Sequence, residues 1–276
     1  MKKIFFPILL FSAAYITNAQ SDSMQSARPQ FKVSINYNSN LNYYGRTDSL
    51  RSSGVFPLAE LWITPSFYVN AAPIFVNNKI QSLDYAGTVA TIGYQTMTDK
   101  WLSNLYALKP FYEQSSLLVQ SALKAQTGVS ISRLNKIVNV TLGGDVKFSD
   151  KTDFGATAGL DHIIRIENKD QSIIVIDPSV YAYSGTQQFS KTYTGKKSDY
   201  LLFPGNSESV TENARKFNIL AYEFSMPIIF VKGKVLVLAT PSYILPQNII
   251  TIANRADLSE KGENTMYTTL GIKYNF

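Results

Sequence analysis

The chain has 276 residues, with 26 lysines and arginines against 20 aspartates and glutamates, one histidine and no cysteine. The lack of cysteine excludes a disulfide scaffold, cysteine-ligated zinc, iron–sulfur clusters and a lipid anchor on an N-terminal cysteine, and one histidine excludes a multi-histidine metal site. The net charge of +6 is mild and no basic run exceeds two residues, which argues against a nucleic-acid partner. We therefore expect no metal and no cofactor.

Residues 1–19 have the layout of a cleaved signal peptide. Two lysines follow the initial methionine, an apolar stretch runs from Ile4 to Ile16, and Ala19 ends a small-residue cleavage site before Gln20. The alternative is an uncleaved membrane anchor, but the apolar stretch is too short to cross about 30 Å of hydrocarbon as a helix. The sequence thus predicts export, with residues 20–276 as a single mature domain.

From residue 31 onward, apolar and polar side chains alternate with period two, which is typical of β-strands that have one apolar face. In the final segment, for example, Leu270 and Ile272 lie on one face, and Thr269 and Lys273 lie on the other. In chain order the alternation predicts ten strands, at 31–38, 58–71, 86–97, 117–132, 137–148, 154–166, 172–184, 217–230, 234–245 and 265–276.

The connections between these strands alternate in length. Most connections after even-numbered strands are tight, whereas most after odd-numbered strands are long and polar, at 39–57, 98–116, 185–216 and 246–264. Transmembrane barrels have an even number of strands, short periplasmic turns and long outer loops, and closure satisfies the backbone hydrogen bonds that lipid cannot. A soluble β-sandwich is the competing fold, but its strands average about 5–6 residues.

We therefore predict an all-β antiparallel transmembrane β-barrel of about ten strands. Twelve strands are the alternative, because segment 98–116 could be an outer loop, a short helix or part of another hairpin.

The C-terminal residues carry a more specific pattern. Phe276 ends the chain, and Tyr274, Ile272 and Leu270 occupy the alternate positions before it. This arrangement resembles the C-terminal signal of bacterial outer-membrane β-barrel proteins, which the barrel-insertion machinery reads. The Asn-Ala-Gln junction after a short lysine-led signal also resembles Bacteroidetes precursors.

The resemblance implies residence in the outer membrane of a Gram-negative bacterium as a small porin-like barrel. The partners it implies are outer-membrane lipid, lipopolysaccharide and the barrel-insertion machinery. A further envelope protein partner stays open.

The alternation also assigns charged side chains to the inside of such a barrel. Five basic and five acidic residues point inward: Lys32, Glu60, Lys124, Asp145, Lys147, Asp161, Arg165, Asp177, Glu223 and Lys273. A ring of one sign would indicate ion selectivity. A balanced set favours ion pairs that fill a narrow lumen, because small barrels are just wide enough for side chains. A narrow pore for small solutes is the alternative.

His162 is the histidine that a catalytic function would need. Its alternate neighbours Leu160 and Ile164 are apolar, which turns His162 toward lipid or the interface. The phospholipase and lipid A deacylase barrels pair a histidine with a serine in a local pattern that does not surround His162. We expect a non-enzymatic protein with a structural, surface-interaction or accessory role through its outer loops. A narrow channel is the second hypothesis, and an outer-membrane lipid or peptide hydrolase is the third.

Overall fold

The fold is taken from a computed structural model, which describes residues 29–48, 50–113, 116, 123–188, 215–250 and 259–276. The predicted signal peptide and the first residues of the predicted strand 117–132 lie outside these ranges. No helix in the described part of the chain is long and apolar enough to cross a membrane.

The described chain is built almost entirely of strands. They are β1 (Gln30–Asn38), β2 (Asn42–Tyr43), β3 (Arg46–Thr47), β4 (Ser53–Trp62), β5 (Phe67–Asn77), β6 (Asp84–Met97), β7 (Trp101–Tyr112), β8 (Ala125–Arg133), β9 (Asn139–Phe148), β10 (Thr152–Asp161), β11 (Ile164–Glu167), β12 (Ile173–Ile176), β13 (Ser179–Gly185), β14 (Asn218–Ser225), β15 (Ile228–Lys232), β16 (Val235–Pro246) and β17 (Thr265–Asn275).

The strands close into one antiparallel barrel. β1 pairs with β4 on one side and with β17 on the other, so the first and last wall strands meet. Three wall strands are composite, each made of two short pieces: β10 with β11, β12 with β13, and β14 with β15. With each composite counted once, the wall has twelve strands.

Prolines account for two of the breaks in the composite strands. Pro178 separates β12 from β13 and Pro227 separates β14 from β15, and proline has no N–H to donate to a neighbouring strand. Their carbonyls still accept hydrogen bonds, from the backbone N–H of His162 at 3.1 Å and of Asp177 at 2.9 Å. The wall therefore stays hydrogen-bonded across the breaks.

The barrel has twelve strands, the alternative count, rather than ten. The segment 58–71 holds the end of β4, the turn 63–66 and the start of β5, and the predicted loop 98–116 holds β7. A threonine hydroxyl closes each of these two additional turns. The hydroxyl of Thr64 accepts the N–H of Phe67 at 2.9 Å, and the hydroxyl of Thr98 accepts the N–H of Trp101 at 3.1 Å. Neither turn contains the glycine that usually marks a hairpin in sequence.

The two faces of the wall differ as the alternation predicts. On β15, Ile228 and Phe230 are more than a third exposed, whereas Ile229 between them is fully buried. Most wall strands expose large apolar side chains on their outer face in this way. The inner face carries buried apolar, polar and charged side chains together, and the core of this molecule is therefore the barrel interior.

Candidate functional site: the barrel interior

The connections divide between the two ends of the barrel. The end that holds the first residue of β1 and the last of β17, here called the terminal end, has the turns 63–66, 98–100, 134–138, 168–172 and 233–234. The opposite end, here called the loop end, carries the other connections, including 39–52, 186–217 and 247–264.

The connection between β1 and β4 folds into the barrel. Every residue from Leu41 to Asp48 is buried, and Leu41, Tyr43, Tyr44 and Arg46 are each at most 5% exposed. The strands β2 and β3 form a small hairpin within this segment. We call residues 41–48 the plug.

The plug packs against opposite sides of the wall. Leu41, Tyr43 and Tyr44 belong to one buried apolar cluster with side chains from β5, β6, β13, β14, β16 and β17. The rings of Tyr44 and Tyr183 lie 5.3 Å apart. Since β5 and β14 are distant along the wall, the plug spans the interior.

The tip of the plug hairpin is a tight turn with two left-handed residues. Tyr44 has a φ of 55° and Gly45 a φ of 75°, as a type I′ hairpin turn requires. The side-chain oxygen of Asn42 accepts the N–H of Gly45 at 3.1 Å. A Cβ at position 45 would lie 2.8 Å from Pro246, so only glycine fits against the wall here.

Arg46 fixes the plug to the surrounding chain. It is 1% exposed, and its Nε donates to the Glu260 carboxylate at 3.0 Å. Its guanidinium also donates to the side-chain oxygen of Gln187 (2.6 Å) and to the carbonyls of Leu220 (3.1 Å) and Gln247 (2.9 Å). A buried charge is tolerated when its partners satisfy it in this way, and losing one partner is costly.

A second connection, 247–264, contacts the plug from the loop end. The N–H of Thr47 donates to the carbonyl of Lys261 at 2.8 Å, and Arg46 forms an isolated antiparallel bridge with Gly262. The Glu260 carboxylate also accepts the N–H of Ile250 at 2.8 Å. Segment 259–262 of the connection 247–264 therefore holds the plug at the loop end.

Eight of the ten predicted inward charges lie inside the barrel, in three groups. The first touches the plug: Lys147, which is buried, forms an ion pair with Asp145 and lies 5.8 Å from the ring of Tyr44. Gly155 on the neighbouring strand leaves room for this pair, because a Cβ there would fall 2.5 Å from Asp145 Oδ1.

The second group lies nearer the terminal end. Glu60, which is 1% exposed, accepts hydrogen bonds from Lys273 Nζ and from the indole of Trp62, both at 2.9 Å. Lys32 Nζ lies 4.8 Å from the centroid of the same indole ring. The Glu60 carboxylate binds Lys273, and the Trp62 ring lies near Lys32, so both buried lysines have a partner.

The third group is acidic. Asp161 accepts a hydrogen bond from Asn139 at 2.6 Å, and the carboxyl of Asp177 lies close to that of Asp161. Glu223 accepts the hydroxyl of Tyr267 at 2.7 Å. None of the described residues forms a group of three or more side chains suited to hold a metal ion.

Two predicted lumen charges lie elsewhere. The Lys124 side chain is 67% exposed and pairs with Asp150 at 2.9 Å at the loop end. Arg165 pairs with Glu167 at 2.8 Å on β11, at the rim of the terminal end. Alternation assigns a side to a residue but not a depth, and both of these residues lie at the ends of the wall.

The four residues of the predicted C-terminal insertion signal face outward. Leu270, Ile272, Tyr274 and Phe276 are between 39% and 64% exposed. His162 is half-buried in the break between β10 and β11. Its neighbours at alternate positions, Leu160 and Ile164, are both exposed on the outer face.

Sequence reasoning missed the plug. It treated residues 39–57 as part of a polar outer loop. The available signal was the Tyr43–Tyr44 pair next to Gly45, which places two large aromatic rings at a tight turn.

The interior is packed rather than channel-like at the positions of the inward charges. Side chains that line a water-filled channel remain accessible to water, whereas Glu60, Lys147 and Glu223 are each at most 4% exposed. The chemistry of the interior is therefore ion pairing and hydrogen bonding among the protein's own groups.

The outside of the wall decides the class of protein. Leu105, Val129, Leu142 and Ile272 are each more than half exposed on different strands, and apolar exposure spread over a whole surface in this way marks contact with a membrane or a partner. A closed wall of an even number of strands with an apolar exterior meets the requirements of lipid. The chain is an outer-membrane-type β-barrel.

The comparisons concern this fold. No protein-family model matches the chain, and no curated protein matches it. The KdgM porin structure is 8% identical, with 89% of this chain and 99% of that chain covered and a TM-score of 0.49. The NanC porin structure is 12% identical, with 88% and 98% covered and a TM-score of 0.44. LpxR from Salmonella typhimurium is 10% identical, with 88% and 99% covered and a TM-score of 0.45.

Proposed function

We propose that this protein is a plugged barrel of the Gram-negative outer membrane that acts through its loop end, in a structural, surface-interaction or accessory role. The observation that carries the proposal is the burial of residues 41–48 inside the barrel, with Arg46 at 1% exposure. A segment held this firmly across the interior argues against transport, and the long connections at the loop end are then the surface that we assign to partner proteins.

The orientation follows from the connections. Outer-membrane barrels place short turns in the periplasm and longer connections outside, so we place the terminal end in the periplasm and the loop end at the cell surface. A cleaved signal peptide over residues 1–19 would deliver the chain, and the outward-facing residues Leu270, Ile272, Tyr274 and Phe276 would be read by the insertion machinery.

The proposal is non-enzymatic. His162 lies at a strand break, and its neighbours at alternate positions, Leu160 and Ile164, are exposed on the outer face. Loss of phospholipid or peptide hydrolysis on His162→Ala would overturn this part of the proposal.

Planar-bilayer conductance tests the plugged state. Purified protein should give no lasting unitary current steps, and replacement of residues 41–48 by a glycine-serine segment of equal length should produce them. Lys124→Ala is the matched control, because its side chain pairs with Asp150 outside the interior, and it should stay silent. Well-resolved unitary steps from the unaltered protein would instead support the narrow channel.

A further inference from the structure

The terminal end carries a patch of basic, aromatic and aliphatic residues at the ends of β7 and β8 and in the adjoining turns. The patch consists of Lys100, Trp101, Arg133, Lys136 and Ile137. All five side chains are exposed; Ile137 is 74% and Trp101 43% exposed.

Two turns are joined to form this patch. The N–H of Leu134 donates to the carbonyl of Lys100 at 2.8 Å, which ties the turn 134–138 to the turn 98–100. Trp101 and Arg133 are paired residues on adjacent strands, and the guanidinium lies 4.8 Å from the centroid of the indole ring. The wall therefore holds the cation and the ring in place.

The patch carries more positive than negative charge. Within the described part of the chain, Lys100, Arg133 and Lys136 form no ion pair. The one acidic residue in the two turns is Asp99.

Two other cations at this end are paired. Arg165 pairs with Glu167, and Lys232 pairs with Asp170 at 2.9 Å. Hydrogen bonds from Ser172 and from Lys232 hold the pKa of the Asp170 carboxyl well below its ordinary value. Lys169 and Lys234, in other turns of this end, also form no ion pair among the described residues. The patch differs from them because it brings three such cations together beside an exposed tryptophan.

The patch continues into the apolar outer face. Moving toward the middle of the wall, the outward positions next to Trp101 and Arg133 are Ser103 opposite Ile131 and Leu105 opposite Val129. Leu105, Val129 and Ile131 are between 43% and 56% exposed. A molecule seated here would meet cations at one end and aliphatic side chains along its length.

We propose that this patch binds the headgroup of an anionic phospholipid in the leaflet at the terminal end, with the acyl chains lying along Leu105, Val129 and Ile131. Arg133 and Lys136 contact the phosphate, and Trp101 lies at the interface between headgroup and acyl chains. Aromatic rings favour that depth, and a basic residue near an anionic lipid surface contributes about 1 kcal/mol.

Quenching of Trp101 fluorescence by brominated lipid tests the proposal. The protein is reconstituted in phosphatidylcholine vesicles that contain brominated phosphatidylglycerol or, at the same mole fraction, brominated phosphatidylcholine. The Trp101→Phe variant retains Trp62 as its one tryptophan, and the difference between the unaltered protein and this variant gives the signal of Trp101. The phosphatidylglycerol lipid should quench Trp101 more strongly.

The variants identify the side chains responsible. Lys136→Gln and Arg133→Gln should each lower the preference for phosphatidylglycerol about fivefold, the equivalent of one basic residue. Lys232→Gln, at the same end but paired with Asp170, should leave it unchanged. Gel electrophoresis checks that each variant is folded, because a folded barrel migrates faster when unheated than after it has been unfolded by boiling.

Three results would overturn the proposal, and two of them concern the lipids directly. One is equal quenching by both lipids in the unaltered protein, and the other is a preference that persists in Lys136→Gln and Arg133→Gln. Excess inorganic phosphate separates the two sources of the anion: a preference that free phosphate abolishes at constant ionic strength would show a phosphate site rather than a lipid site.

Discussion

Single residues set how closely the interior packs, and glycine–tyrosine pairs show this best. Tyr106 lies directly opposite Gly128 on the neighbouring strand, and Tyr181 lies opposite Gly159. A Cβ on Gly128 would fall 2.6 Å from the Tyr106 hydroxyl oxygen, and one on Gly159 would overlap the Tyr181 ring. The large ring covers the glycine, which compensates for a residue that by itself weakens a strand.

Gly159→Ala should therefore destabilise the barrel. The added methyl group has no room beside Tyr181, and overpacking of this kind costs about 1–3 kcal/mol. Gly144→Ala is the control, because the nearest atom to its Cβ would be a carbonyl oxygen at an ordinary 3.6 Å. Urea titration of vesicle-embedded protein compares the free energies of unfolding, and equal values for the two variants would contradict the packing argument.

At the scale of elements, the plug is a short hairpin whose position is fixed by its contacts with the rest of the chain. Two neighbouring residues hold it by different means: Arg46 by its ion pair with Glu260, and Gly45 by close contact with Pro246. Isolated hairpins are marginal in water, so these contacts and the buried rings of Tyr43 and Tyr44 maintain it.

Gly45→Ala should unseat the plug. The substitution introduces both an unfavourable φ and a clash with Pro246. Gly233→Ala is matched for the first effect alone, because Gly233 also has a positive φ, of 56°, but nothing within 4 Å of its Cβ. Bilayer recordings should show intermittent openings for Gly45→Ala and none for Gly233→Ala. Silent Gly45→Ala protein would mean that the plug tolerates displacement of its tip.

At the scale of the whole molecule, the barrel is inverted relative to a soluble protein. Its exterior presents Leu105, Leu142 and Ile272 to the surroundings, while Glu60, Lys147 and Glu223 are buried inside. Lipid is the solvent in which both faces are stable, because closure between β1 and β17 leaves no open edge in the middle of the wall.

Leu105→Arg should destabilise the membrane-embedded barrel. Leu105 is 56% exposed on the outer face near the middle of β7, and an arginine facing lipid near the bilayer midplane costs about 2–4 kcal/mol. Leu105→Phe keeps the site apolar and is the control. Guanidinium titration in vesicles measures both variants, and an unchanged free energy of unfolding for Leu105→Arg would show that this face does not meet lipid.

The sequence by itself determined the fold class and the side of the wall on which most residues lie. A strand turns successive side chains to opposite faces, so alternation in the sequence is read directly as inside and outside. Glu60, Lys147 and Glu223 were assigned to the interior by that rule alone, and they are buried there.

Only the tertiary structure decided the strand count, the depth of the charges and the plug. The turns at Thr64 and Thr98 are closed by side-chain hydroxyls and interrupt the alternation without a glycine. The plug depends on Arg46 meeting Glu260, and these residues lie 214 positions apart. Alternation is a local property of neighbouring residues, whereas a contact of that kind exists only once the barrel has closed and brought both ends of the chain together.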